Sequence, residues 1–158
     1  MIALIMMVTS YQNNALKQTN LKIKKNMTVE KKEVVIKFNK EFFESGNTEI
    51  TEELLADTFV NHTGPPNAPK DASVMIQFIT AFHKGFSDIS VQIHEVIGEG
   101  NKVSLRKTIN ATHTGEFMEH KPAGKKVELS VIEIDILKDG KITDHWSRNN
   151  FMQVVPDL

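Results

Sequence analysis

The chain contains no cysteine. That absence excludes disulfides, zinc thiolate sites, iron–sulfur clusters and a thiol nucleophile, and leaves the fold to stand on its core. An excess of charge of either sign is also missing, since 19 Lys and Arg against 20 Asp and Glu leave a net charge of −1. With no global positive field, neither nucleic acid nor an anionic membrane is expected as a partner. No apolar run approaches the roughly 20 residues of a membrane-spanning helix. The most apolar stretch, Met1 to Val8, is followed by Thr9-Ser10-Tyr11-Gln12-Asn13-Asn14, and the first lysine is Lys17, which is not the layout of a secretory signal. A cytoplasmic location is therefore expected. Residues 1–27 are expected to be a disordered or over-long N-terminal extension, with the domain occupying residues 28–158.

What is present suits one globular domain. A length of 158 residues with 40% hydrophobic and 25% charged residues is ordinary for a soluble protein. From Thr28, taken as an N-cap, Val34, Phe38 and Phe42 recur at helical spacing until Gly46. A shorter helix is expected from Thr51, with Glu52 and Glu53 in its first turn. The segment Asn61-His62-Thr63-Gly64-Pro65-Pro66-Asn67-Ala68-Pro69 is rich in proline and predicts a loop. Asp71 then caps a third helix whose apolar face is Val74, Met75, Phe78, Ile79 and Phe82. After Gly85 the period changes to two, and residues 90–97, 102–112, 126–138 and 141–149 predict four strands. Helices followed by strands indicate an α+β fold with an antiparallel sheet.

The register of the last hairpin decides which side chains meet. A two-residue Asp139-Gly140 loop sets Asp135 opposite Asp144, an unfavourable pair of like charges. A three-residue loop, Lys138-Asp139-Gly140, sets Glu133 opposite His145 and is preferred. It places Val131, Glu133, His145 and Ser147 on one face.

Six histidines lie at no spacing that makes a metal site, so no metal is expected. There is no G-x-S-x-G elbow, and Gly98-Glu99-Gly100 lacks the third glycine and the following helix of a dinucleotide site. Glu133 and Asp135 stand in an otherwise apolar strand. Burial raises a carboxylic acid towards the range useful for proton transfer, and Glu133 is the candidate for that role while Asp135 is expected to face solvent. Asn61 either caps a turn or orients a carbonyl through its amide. Trp146, the sole tryptophan, is expected in the core or as a ligand platform.

Four stretches carry a resemblance: Phe59-Val60-Asn61-His62; Thr112-His113-Thr114-Gly115-Glu116-Phe117-Met118; Pro122-Ala123-Gly124-Lys125-Lys126-Val127; and Asp139-Gly140-Lys141-Ile142 with His145-Trp146. In this order, over about residues 30–155, the chain resembles the SnoaL-like polyketide cyclase (ester cyclase) family of the nuclear transport factor 2-like superfamily. The resemblance implies a cone-shaped, curved antiparallel sheet with N-terminal helices packed on its concave face around one pocket. It also implies a homodimer and ring closure by aldol chemistry without metal or organic cofactor. In that family an aspartate directly after the position of Trp146 is the general acid–base; here that residue is Ser147, and Glu133 stands where the cyclases have a histidine. The catalytic set expected is Glu133, His145 and Asn61. Ser147, Trp146, His113 and Phe38 are expected to bind a small apolar or carbonyl-containing molecule.

Overall fold

The computed structural model describes residues 2–158, with side chains described from Asn13 onward. Helix α1 (Ile2–Phe38) continues into a π-helical turn, Asn39–Glu44, and Gly46 ends it with φ +69°. Then follow α2 (Ile50–Leu54), strand β1 (Leu55–Asn61), α3 (Ser73–Gly85), β2 (Phe86–Glu99), β3 (Lys102–His113), β4 (Lys126–Lys138), β5 (Lys141–Asn149) and α4 (Phe151–Val154). A 3-10 turn, Val155–Asp157, closes the chain. The sheet order is β1-β5-β4-β3-β2, and it does not close into a barrel.

Thr28 does not start a helix. Its hydroxyl donates to the carbonyl of Lys24 at 3.0 Å inside a helix already running, because the sequence holds no glycine before Gly46 and no proline before Pro65. Asn13–Met27, expected in a disordered extension, form a helical stretch exposed along its whole length. Met1 and the side chains of residues 2–12 lie outside the described residues. The helix meets the sheet from Thr28 onward, where Lys31 Nζ donates to the carbonyl of Gly100 at 2.8 Å. Phe38 and Phe42 of the predicted stripe are then buried with Val35 against Leu54, Ile79, Val103 and Leu105, while Val34 is only partly buried.

Strand β1 is an addition to the expected four. It leaves α2 without turn residues between them, so no Gly or Pro announces it. Its pairing with β5 is parallel, Asn61 lying beside His145, which makes the sheet mixed instead of antiparallel. The other three pairings are antiparallel.

The last hairpin corrects the expected register. Lys138 pairs with Lys141, so the loop has two residues, and Asp139 (φ 52°) and Gly140 (φ 79°) both take the left-handed conformation that a type I′ turn requires. The like-charge clash is avoided by a bulge instead. Leu137 pairs with Ile142 and Ile136 with Asp144, so Thr143 is the extra residue. Asp135 therefore faces His145, and Glu133 faces Ser147.

Candidate functional site

Alternation along the strands brings the site together. On β3 the inward residues are Val103, Leu105, Lys107, Ile109, Ala111 and His113; on β4 they are Val127, Leu129, Val131, Glu133, Asp135 and Leu137. All are buried, so a lysine, two carboxylates and, at the end of β3, a histidine interrupt an otherwise apolar surface. Such charges survive burial only if paired.

Lys107, with 1% of its surface exposed, is tied on every side. Its ammonium donates to Glu133 Oε2 at 2.7 Å and to Asn39 Oδ1, and lies 3.7 Å from the centroid of the Phe43 ring. Asn39 Nδ2 donates in turn to Glu133 Oε1 at 2.6 Å and to the Val35 carbonyl at 3.0 Å. Both contributions from the helical side, Asn39 and Phe43, come from the π-helical turn, a local geometry frequent at functional sites. Burial pushes the Glu133 carboxyl up, but the Lys107 and His145 charges and the hydrogen bonds from Lys107 and Asn39 outweigh it and hold the group below the usual range. The expectation that burial raises Glu133 is thus corrected: Lys107 reverses the sign.

The neighbouring pair behaves differently. His145 Nδ1 and Asp135 Oδ1 are 2.8 Å apart, both side chains buried. Asp135, expected to face water, points inward because it alternates in step with Val131 and Glu133 on β4, and the Thr143 bulge brings His145 opposite it. Burial raises its carboxyl, and the nearby Glu133 charge adds to this, against the hydrogen bond and charge of His145. For His145, burial disfavours the imidazolium, yet the hydrogen bond to Asp135 and the charges of Asp135 and Glu133 prevail and raise it. Asp135 Oδ2 has no hydrogen-bond partner among the described residues. His145 Nε2 is likewise without a protein partner among them.

Lys107, Glu133 and His145 reach the wall of a small cavity of about 60 Å³, with Asp135 and Asn39 behind that wall. Phe43, Phe78, Ile109, Leu129, Val131 and Phe151 give it an apolar body. Lys107, Glu133, His145, Ser147 and Asn149 give it a polar end. An imidazole free at Nε2 beside a serine hydroxyl can exchange a proton with a bound molecule and hold its oxygen.

Of the residues expected from sequence, Glu133, His145 and Ser147 meet at this wall. Asn61 is buried beside His145 but off the cavity, and its Oδ1 accepts from the Thr63 amide at 2.9 Å, closing a turn. Trp146 points to the opposite face, as a residue between His145 and Ser147 must in a strand. There it is 38% exposed and stacks on the His62 ring at 4.0 Å. His62 Nε2 lies 2.9 Å from Asp144 Oδ1, and that hydrogen bond is the main cause holding the Asp144 carboxyl below its usual range. His113 is fully buried near Phe86, 5.2 Å between ring centroids, at the far end of β3. Phe38 stacks on Phe42 at 4.9 Å within the core. Neither lines the cavity.

Sequence reasoning missed Lys107 and Asn39. Parity held a signal for the first, since Lys107 falls in step with Val103, Leu105 and Ile109. Asn39 falls one helical turn after Val35, on the stripe that Phe38 and Phe42 define. No group of three or more His, Asp or Glu among the described residues is arranged to hold a metal ion.

The sequence profile of the SnoaL-like polyketide cyclase family matches residues 33–158. No curated protein gives a significant match. Among solved structures, AclR from Streptomyces galilaeus, a proposed hydroxylase, is similar with a TM-score of 0.72 at 24% identity, covering 82% of this chain and 96% of that one. IdmH from Streptomyces antibioticus, a proposed polyketide cyclase, gives 0.66 at 26% identity, covering 77% and 93%. A further likeness, 0.60 at 11% identity over 78% and 94% of the two chains, is to a SnoaL-like polyketide cyclase from Agrobacterium tumefaciens.

Proposed function

This chain belongs to the SnoaL-like polyketide cyclase family, and on that premise we propose that it performs cofactor-independent acid–base chemistry, of the cyclase, isomerase or lyase kind, on a small carbonyl or ester compound. The observation that carries the reading is His145 at the polar end of the cavity, with the buried Asp135 carboxylate 2.8 Å behind its Nδ1. In this reading His145 Nε2 moves the proton. Asp135 fixes the ring and steadies the imidazolium through Nδ1, as a buried carboxylate does behind a catalytic histidine. Ser147 and Asn149 hold the substrate oxygen. Glu133 is not the mobile base, because its two oxygens are already engaged by Lys107 and Asn39.

The test is incubation of the purified protein with small ketones, enones and esters, followed by NMR for both binding and conversion. Conversion that falls at least about a hundredfold in His145→Gln, the usual scale of a lost acid–base group, supports the proposal. Conversion unchanged in that variant overturns it.

A second reading is favoured by one residue. Ser147 stands where the family has its acid–base aspartate, so a pocket that binds an apolar ligand without changing it is the alternative. Binding without product at any pH between 5 and 9 establishes that alternative.

For the assembly we propose a homodimer through the outer sheet face, supported by Ile97, Ile132 and Ile134, which expose 64%, 54% and 44% of their surface there beside Trp146. No helix among the described residues is long and apolar enough to cross a membrane. A cytoplasmic setting and the absence of a nucleic-acid partner are part of the same proposal, supported by the balanced charge.

A further inference from the structure

The buried wall holds four ionisable side chains: Lys107 from β3, Glu133 and Asp135 from β4, and His145 from β5. The other elements packed against His145 present no charge to it. The π-helical turn contributes Asn39 and Phe43, and β1 contributes Asn61. On β5 itself the next inward side chain is Ser147; His62 and Asp144 belong to the outer face. The four groups are therefore a closed electrostatic set, two acids and two bases out of reach of screening salt.

Within it the partners are unequal. Lys107 contacts Glu133 at 2.7 Å and spends its remaining donors on Asn39 and the Phe43 ring, so no N–H is left for a ligand. Glu133 spends both oxygens on the same two residues. His145 and Asp135 form a second pair at 2.8 Å, with an open nitrogen on one and an open oxygen on the other. The first pair is saturated and the second is not.

We propose that Lys107 is a positioning residue: as the counter-ion of Glu133 it offsets the pull of that carboxylate on His145, and so sets the pH at which the imidazole at the cavity wall exchanges its proton. Without that ammonium the imidazole faces two buried carboxylates. Without the Glu133 charge it faces an uncompensated ammonium across the same wall. The catalytic meaning of this assignment rests on His145 being the proton carrier, but the titration itself does not. Both are separable because one is read without substrate.

The experiment is an NMR titration of the His145 ring nitrogens in the full chain, in wild type, Glu133→Gln and Lys107→Met/Glu133→Gln. The Glu133→Gln amide keeps an oxygen for Lys107, so only the charge is lost. Its His145 titration is expected to move to lower pH by about one unit or more, a tenfold loss of proton affinity. The double variant is expected to return to within about 0.3 unit of wild type, since it restores the balance by removing the second charge. Should Glu133→Gln not fold, Lys107→Met alone gives the opposite sign, a shift to higher pH. A His145 midpoint unmoved in the single variant, or one that the double variant does not restore, overturns the assignment. Loss of turnover with these shifts intact bears only on the proposed reaction.

Discussion

At the scale of single residues, the site is governed by which charges have partners. Lys107 and Glu133 are each 1% exposed in their side chains, so removing one strands the other in a medium that solvates it poorly. Lys107→Ala is expected to cost about 3–5 kcal/mol in urea unfolding, whereas replacing both partners by Met and Leu is expected to be neutral or to gain about 1–4 kcal/mol. A double replacement as damaging as the single one would show that Asn39 and the cavity depend on the ion pair for their shape. The pH dependence has the opposite origin. His145 is raised above its ordinary value of 6.5 in the fold, so the folded chain binds its proton more tightly than the unfolded chain. Its contribution to stability is complete below about pH 6.5 and is lost as the pH rises through the folded value. The urea midpoint is accordingly expected to fall as the pH is raised from 6 towards 8, and His145→Gln is expected to flatten that slope. A slope unchanged in the variant would assign the proton to another group. The shared face of His145, Glu133 and Ser147 was legible from alternation together with the Asp135–Asp144 repulsion, although through a longer loop where the structure has the Thr143 bulge. Their partners were not, because a pairing between Asn39 and Glu133, 94 positions apart, leaves no local trace.

Secondary-structure elements decide where those residues point. The four strands after Gly85 were legible, three to within a residue of their observed ends, since period-two alternation and an Asp-Gly turn are strong local signals. The Thr143 bulge was not. Charge repulsion between Asp135 and Asp144 correctly argued against a plain ladder, but a longer loop and a bulge relieve it equally well, and only the packing of β1 and β4 on either side of β5 chooses between them. That choice moved His145 from Glu133 to Asp135. β1 escaped for a related reason: it enters directly from α2, and its parallel pairing with β5 is a tertiary fact. Close approach matters equally at Gly115, in the connection from β3 to β4. Its amide and that of Thr114 both donate to the Gly85 carbonyl, at 2.9 and 3.0 Å, and a Cβ on Gly115 would lie 2.2 Å from the Lys84 carbonyl oxygen. Gly115→Ala is expected to cost about 1–3 kcal/mol through the backbone shift it forces, measured by thermal unfolding. A loss below about 0.5 kcal/mol would mean that the end of α3 yields freely.

The whole molecule divides its two sheet faces between two tasks. The inner face is covered by α1, α3 and the π-helical turn and holds the cavity; the outer face carries Ile132, Ile134 and Trp146 in a row across β4 and β5, where Ile134 pairs with Trp146. A contiguous apolar surface of this kind marks an interaction site more often than it marks idle surface. The proposed homodimer uses it. Because residues i and i+1 of a strand point to opposite faces, a charge placed at Ile134 leaves Glu133 and Asp135 undisturbed in direction. Ile132→Lys with Ile134→Lys is therefore expected to convert a dimer to a monomer in sedimentation at micromolar concentration, with the His145 titration unchanged. A wild-type chain that sediments as a monomer would remove the dimer while leaving the cavity chemistry standing. A dimer that persists in the double lysine variant would move the interface elsewhere, and the exposed helical stretch Asn13–Met27, with Leu16, Leu21 and Ile23 open to solvent, is the next surface to delete.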